Sequence, residues 1–532
     1  MCPLSAKQKL CHPDPARVAG RQPRWWSPTL VLALALSSCS GGDVSREAIF
    51  GDPVTDQLRW SERLTGTNLV VIMSDTMRRD RIGTYGGPAG TPAIDGFARE
   101  NLVFDEAYSQ APWTKPSIAT VFTSRYPSQH GVLHHPRLVQ SGTEKVNERA
   151  IMELDVLAED DTTLAEALSA SGLRTAGFVG NPWMARSFGF AQGFELYDDS
   201  FAGWDVGGEE ISRAGLAWLD GLEDGERFFL YLHYMDCHQP FIPLEGEMLS
   251  NRVDELNADQ RSVTSAAAAD IAKIVKRVDG RSATQSGLRP TIALAEYAYD
   301  QGVEQFDRAL GVFLDGFRES PAYGRTAIIV TSDHGEALFE RGYGNHAKGL
   351  YDDEVAIPFM ARLPGVASDS QRIEQLVGLI DLFPTVCDYL QVPIPDSVNG
   401  RSWLPGASGS PVACVVTEGV STKPFNRAVR TRNYKLLWQP QGGPDGKEHA
   451  LFNIREDPLE TRDLLSQELL NAEAEQIVRE LVDASRDVVP RYERSPTLFV
   501  PVGDDVLNRL RSLGYMDDES DAPEAGSDAS GD

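Results

Sequence analysis

"TNLVVIMSD", residues 67–75, is a near-continuous apolar run that ends in an acid. A half-exposed strand alternates apolar and polar residues, so a run apolar at every position predicts a strand covered on both faces, as parallel strands are. The same form returns in "RTAGFVGN" (174–181), "RFFLYLHYMD" (227–236) and "RTAIIVTSD" (325–333). Helical periodicity lies between them, in "TTLAEALSASG" (162–172) and "YDQGVEQFDRALGVFLDGF" (299–317). Strand alternating with helix predicts an α/β fold with a mostly parallel sheet. Ligands of such sheets gather at the carboxyl ends of strands, where Asp75, Asp236 and Asp333 all fall.

The chain has 532 residues, 41% of them hydrophobic, enough for one large domain over residues 65–410 and a smaller one over 411–516. Short strand patterns, "AVRTRNYKLLWQP" and "HALFNIREDPLETRDLL", and a helix near 469–488 mark the smaller unit. Residues 245–290 interrupt the rhythm as a polar insertion, either a helical lid or a solvated excursion, and the acidic tail 517–532 is expected to be disordered. A net charge of −28 argues against a nucleic-acid partner. An anionic substrate then needs a local positive site, which makes a bound metal the natural device.

Basic residues from Lys7 to Arg24 precede the apolar run "TLVLALAL", too short to span a bilayer but suited to a signal peptide. It ends in Leu36-Ser37-Ser38-Cys39, which resembles a bacterial lipobox. The expectation is a lipoprotein-type signal peptide over 1–38, a lipid anchor on Cys39, and a tether over 39–64. The product would be exported and membrane-anchored, facing the periplasm or cell surface. Ordinary secretory cleavage is the alternative. Cys237, Cys387 and Cys414 would remain, so at most one disulfide forms and the core must hold the fold.

Asp75 at one strand end, with Asp333 and His334 at another, are plausible ligands of one metal ion. Acids with an imidazole suit Mn²⁺ or Zn²⁺ better than an all-oxygen Ca²⁺ site. Taken singly, each acid is as readily the cap of the next helix. Thr114, in "PWTKPS" just before a helical pattern, reads by itself as an ordinary N-cap. Beside a metal, however, its hydroxyl gains acidity and becomes a nucleophile for an anionic ester.

The chain resembles the sulfatase family of the alkaline-phosphatase superfamily. The likeness runs through "SDTMRRDRIGTYG" (74–86), "PWTKPSIATVFTSRYPSQHGV" (112–132), "LHYMDCHQPF" (232–241), "TSDHGEAL" (331–338), "NHAKGLYDDEVAIPF" (345–359) and "LFNIREDPLETRDL" (451–464). It implies an alkaline-phosphatase-like α/β/α sandwich with a smaller C-terminal α+β subdomain. It also implies one divalent ion held by Asp75, Asp333, His334 and Thr114, with Thr114 as nucleophile. His346 and Lys348 match groups that contact the anionic oxygens or protonate the leaving oxygen, and His238 matches an anion-binding or leaving-group histidine. Two other readings of His238 stay open, a histidine held by Asp236 or part of a second ion site with Asp236 and His346. Lys115 has no matching role and is expected to be surface charge.

One departure bears on the chemistry. The family pattern is Cys or Ser-x-Pro-x-Arg, whose first residue becomes formylglycine, whereas here Thr114 and Ile118 stand at its two ends. No formylglycine is expected. Threonine is what related phosphodiesterases and phosphoethanolamine- or glycerophosphate-transferring enzymes use, and His334 resembles the phosphonate monoester hydrolases. The resemblance thus implies a Mn²⁺ or Zn²⁺ hydrolase, with Ca²⁺ less favoured, acting on a small sulfate, phosphate or phosphonate ester of a glycan or lipid. An envelope phospho-group transferase and an inactive binding protein of the same fold are the alternatives.

Overall fold

Along the strand Asn68–Ser74 (β1) successive side chains enter opposite layers, Leu69, Val71 and Met73 into one core and Val70 and Ile72 into the other. That double burial is why the run is apolar throughout. The computed structural model describes residues 44–51, 57–133, 137–139, 150–201, 207–239, 289–407, 413–419, 426–439, 448–466, 471–489 and 498–502. The expected signal peptide, Cys39, nearly all of the 245–290 insertion and the acidic tail lie outside the described residues.

Seven more strands join β1: Leu102–Tyr108 (β2), Arg174–Val179 (β3), Leu196–Asp198 (β4), Phe228–Tyr234 (β5), Thr326–Ser332 (β6), Phe359–Arg362 (β7) and Arg372–Gly378 (β8). The sheet order is β8-β2-β7-β6-β1-β5-β3-β4, and only β7 runs against its neighbours. Helices Pro92–Glu100 (α1), Thr114–Thr123 (α2), Leu164–Ala170 (α3), Gly208–Asp220 (α4), Arg289–Arg318 (α5) and Leu382–Leu390 (α6) cover it. Ile118, Leu164 and Leu382 place α2, α3 and α6 on one face, while Ile94, Ile211 and Phe306 place α1, α4 and α5 on the other. The expected α/β/α sandwich is therefore present.

The antiparallel strands Val415–Gly419, Asn426–Arg430, Tyr434–Trp438 and His449–Asn453 form the smaller sheet, against which helix Ala472–Val488 (α7) buries Ile477, Val478 and Leu481. The expected tether needs correction. Within 39–64, Arg46–Phe50 is helical and its apolar Ile49 and Phe50 complete this same core. Leu58–Trp60 pairs with Val366–Ser368. The chain after α7 also returns to the large domain, since Leu498–Val502 pairs with Ala150–Leu154.

Candidate active site

Adjacent parallel strands deliver the site at their carboxyl ends. β1 lies between β5 and β6 with Ser74 opposite Tyr234 and Ser332, so the residues that follow, Asp75 and Asp333, emerge side by side. The Asp75 N–H donates to the Tyr234 carbonyl at 2.8 Å. Asp75, Asp333 and His334 are fully buried, and one ligand atom from each lies within 4.8 Å of the others. His334 Nε2 is 3.7 Å from Asp75 Oδ1 and 3.6 Å from Asp333 Oδ2.

Two buried carboxyls at this spacing need a cation. Asp333 Oδ1 accepts from the Thr76 and His334 N–H groups at 3.1 and 2.8 Å, but Asp333 Oδ2 and Asp75 Oδ1 find no hydrogen-bond donor. Burial, then the charge of Asp75, holds the Asp333 carboxyl well above the ordinary range. Burial opposes ionisation of Asp75 too, but His238, His233 and His334 outweigh it and hold that carboxyl low. A divalent ion between them would allow both carboxyls to ionise. The residues present fit such an ion.

Thr114 is the first residue of α2, and the cap position belongs to Trp113, whose side chain makes no capping bond. The N-cap reading of Thr114 is therefore corrected. Its hydroxyl lies 3.3 Å from Asp75 Oδ2 and 3.4 Å from His334 Nε2, and Asn181 Nδ2 donates to it at 3.3 Å. It stands where the unpaired N–H groups of a helix start favour an anion. Four residues on, Ile118 is fully buried in the core beneath the sheet, so the position of the family's arginine has no polar role here.

His346 is presented by a strained loop, between Asn345 at φ 74° and Ala347 at φ 66°. Left-handed non-glycine residues cost roughly 1–3 kcal/mol each and persist where surrounding contacts hold them. Here the Ala347 N–H donates to the Pro112 carbonyl at 2.9 Å, tying the loop to the segment before Thr114. The His346 ring centroid is 4.6 Å from that of His334 and 5.1 Å from that of His238, and its Nδ1 is 3.3 Å from Glu336 Oε2. Burial pushes Glu336 up to about 8, and burial, then His238, pulls His346 down to about 3.

His238 is buried, with Nδ1 bonded to the Gln239 carbonyl. Asp236 accepts from Gly208 N at 3.2 Å, at the start of α4. Lys348 Nζ donates to the Gly344 carbonyl at 3.0 Å, closing its own loop. The structure thus gathers Asp75, Thr114, Asp333 and His334, sets His346 and His238 beside them, and directs Lys348 Nζ to a backbone partner.

Three neighbours escaped the sequence reading. Asn181 follows β3 and donates to Asp75 Oδ2 at 2.6 Å, Glu336 supports His346, and His233 near the end of β5 faces both acids. His233 lies in the segment "HYMDCH" (233–238), inside an apolar strand that gives no sign of a polar partner. Lys115 is corrected as well. It is fully buried, with Nζ bonded to the Asp155 carbonyl and 4.7 Å from the Phe188 ring centroid, and burial pulls it down to about 7.

Residues 67–392 match the Sulfatase family, and residues 341–487 match the family termed N-sulphoglucosamine sulphohydrolase, C-terminal. The chain belongs to the sulfatase family. This sulfatase is 24% identical over 432 residues to the Delta 4,5-hexuronate-2-O-sulfatase of Bacteroides thetaiotaomicron, covering 75% of its own chain and 84% of the relative. A solved structure in complex with its substrate D-glucosamine-2-N,6-O-disulfate aligns with TM-score 0.61 at 17% identity over 79% of this chain and 98% of that one. The phosphonate monoester hydrolase of Agrobacterium radiobacter aligns with TM-score 0.56 at 17% identity over 79% and 96%. At these identities the structural likenesses establish the fold. The sulfatase family consists of metal-dependent ester hydrolases, in keeping with the buried acid pair.

Proposed function

We propose that this sulfatase hydrolyses a small sulfate, phosphate or phosphonate ester with Thr114 as nucleophile, beside one divalent ion held by Asp75, Asp333, His334 and the Thr114 oxygen. The observation that carries this reading is the Thr114 hydroxyl, turned at the start of α2 toward Asp75 Oδ2 at 3.3 Å and His334 at 3.4 Å. When bound, the ion supplies positive charge that acidifies the hydroxyl and offsets the charge of the ester oxygens. Asn181 holds Thr114 and Asp75 together through one amide. Thr114 Oγ1 loses its proton to water and forms a bond to sulfur or phosphorus as the bond to the leaving oxygen breaks, and His238 gives that oxygen its proton. Water then cleaves the Thr114 ester, with the same histidine as base.

Threonine in place of a formylglycine precursor favours a phospho-ester, while the relatives' names favour sulfated sugars as a second class to assay. The deciding experiment compares kcat/KM of the full chain, supplied with Mn²⁺ or Zn²⁺, on an aryl sulfate and a matched aryl phosphodiester. Preference for the phosphodiester, lost in Thr114→Ala, is the expected result. Preference for the sulfate would overturn the argument from threonine. Export and a lipid anchor on Cys39 complete the proposal, placing the site at the envelope.

A further inference from the structure

Glu354 is fully buried, in the helical turn Asp352–Val355 that follows the loop carrying His346. Its carboxyl gathers donors from that loop. The Tyr343 hydroxyl donates to Oε1 at 2.7 Å, Gly349 N to Oε1 at 2.8 Å and Lys348 N to Oε2 at 3.1 Å. The approach is so close that a Cβ on Gly349 would collide with both the Tyr343 hydroxyl and Glu354 Oε1. The backbone of the same turn holds the residues that follow His334. The Glu354 carbonyl accepts from Gly335 N at 2.8 Å, and the Asp353 carbonyl from Glu336 N at 3.0 Å. The turn is anchored in its own right, Asp352 by Lys435 Nζ of the smaller sheet at 2.6 Å and Asp353 by Arg341 at 2.8 Å.

Two ordinary roles fail to explain a carboxyl at this place. A glutamate three residues into a helical turn reaches back to the cap N–H, but here Tyr351 is the cap and the oxygens of Glu354 turn to the loop instead. A buried acid is otherwise paired with a cation, whereas the partners of Glu354 are two backbone N–H groups and a phenol. Burying a carboxyl is costly, and an apolar side chain would fill the space without that cost. What the carboxyl adds is a hold on the loop. Asn345 and Ala347, on either side of His346, both take left-handed conformations, which persist only where surrounding contacts over-determine them. Resting on the reading that Thr114 and the acids beside it form the active site, we propose that Glu354 is a positioning residue for that reaction. It clasps Tyr343, Lys348 and Gly349 so that the His346 ring stays 4.6 Å from that of His334. Through its carboxyl and its carbonyl, one residue fixes the His346 loop relative to the backbone that follows His334.

Amide hydrogen exchange of the wild-type full chain, resolved to single residues, should find Lys348 and Gly349 slowed by at least about 100-fold. Exchange at the rate of an open loop would overturn the clasp without any variant. Glu354→Ala should speed those two amides and leave Gly335 and Glu336, whose partners are backbone carbonyls, as slow as in the wild type. With Zn²⁺ supplied, on the aryl sulfate or the aryl phosphodiester, whichever is turned over, Glu354→Ala should lower kcat/KM by about 100-fold, the cost of roughly 1 Å of misplacement. In the His346→Ala background it should cost nothing further. Equal losses in both backgrounds would show that Glu354 does not act through His346 and would reject the positioning role. Tyr343→Phe removes one donor and keeps the ring; it should show a smaller loss with the same dependence on His346, and it decides the matter where Glu354→Ala does not fold. Thr114→Ala separates the two levels. If it keeps wild-type turnover, the proposed reaction falls while slow exchange at Lys348 and Gly349 leaves the clasp standing; if it loses turnover while Glu354→Ala keeps wild-type kcat/KM, only the role of Glu354 falls.

Discussion

Thr114 Oγ1 and Asp75 Oδ2 lie 3.3 Å apart across 39 residues of sequence. The contact exists because β1 ends and α2 begins at the same edge of the sheet, and Asn181 bridges the two side chains from β3. Thr114→Ala should therefore lower kcat by at least about 10³-fold while leaving the melting temperature within a few degrees. Thr114→Ser should keep a measurable fraction, since it retains the oxygen. Equal activity in the alanine variant would remove Thr114 from the chemistry.

The acid pair predicts a coupling between metal and stability. Saturating Mn²⁺ or Zn²⁺ at about 100 times Kd should add roughly 2.7 kcal/mol to the wild type, read as a rise in melting temperature over the chelator-treated protein. Asp333→Asn should lose that rise. Its chelator-treated melting temperature should be no lower than that of the wild type, because an amide cannot ionise in the buried place beside Asp75. A lower value would mean that Asp333 stabilises the fold without an ion.

Strands apolar at every position were legible because both faces are buried, and β1, β3, β5 and β6 follow the expected segments closely. β2 was hidden by Asp105 and Glu106, half-buried charges in its middle, and β7 by its four-residue length. The metal acids were legible at strand ends, where topology restricts what a residue can reach. Asn181, Glu336 and His233 were not, because each acts through a partner from a distant segment. Lys115 was misread for the same reason, since nothing adjacent in sequence reveals that Phe188 and the Asp155 carbonyl enclose it.

Asn181 tests the bridge. Its amide donates to Asp75 Oδ2 at 2.6 Å and its Oδ1 accepts from Trp183 N at 2.8 Å. Asn181→Ala should cost about 10–100-fold in kcat/KM or metal affinity, the range for groups that orient ligands. An unchanged metal affinity and an unchanged kcat/KM together would show that Asp75 and Thr114 hold their positions unaided.

Cys39 belongs to the export proposal. Cys39→Ala should move the protein from the membrane fraction to the soluble fraction, with kcat/KM on small substrates unaltered. Among the described residues no helix is long and apolar enough to cross a membrane. Unchanged fractionation would reject the lipobox.

The acid limb of stability should be set in part by His130, at the end of the short helix Pro127–His130 beyond α2. Val132 N donates to Nδ1 at 3.1 Å, so the ring is neutral with its proton on Nε2, facing Thr120 Oγ1 at 3.2 Å. Burial, then the Arg125 guanidinium, pulls its pKa from 6.5 to about 3. Between these values the unfolded chain binds a proton that the folded protein refuses, so stability is present above pH 6.5 and falls as the pH drops. At 1.36 kcal/mol per unit, this one group should remove about 2 kcal/mol by pH 5. His130→Gln keeps an acceptor for Val132 N and a donor for Thr120 but does not titrate. Its unfolding free energy should gain about 2 kcal/mol on that of the wild type between pH 7 and pH 5. Parallel curves over that range would show that the imidazole is protonated alike in both states.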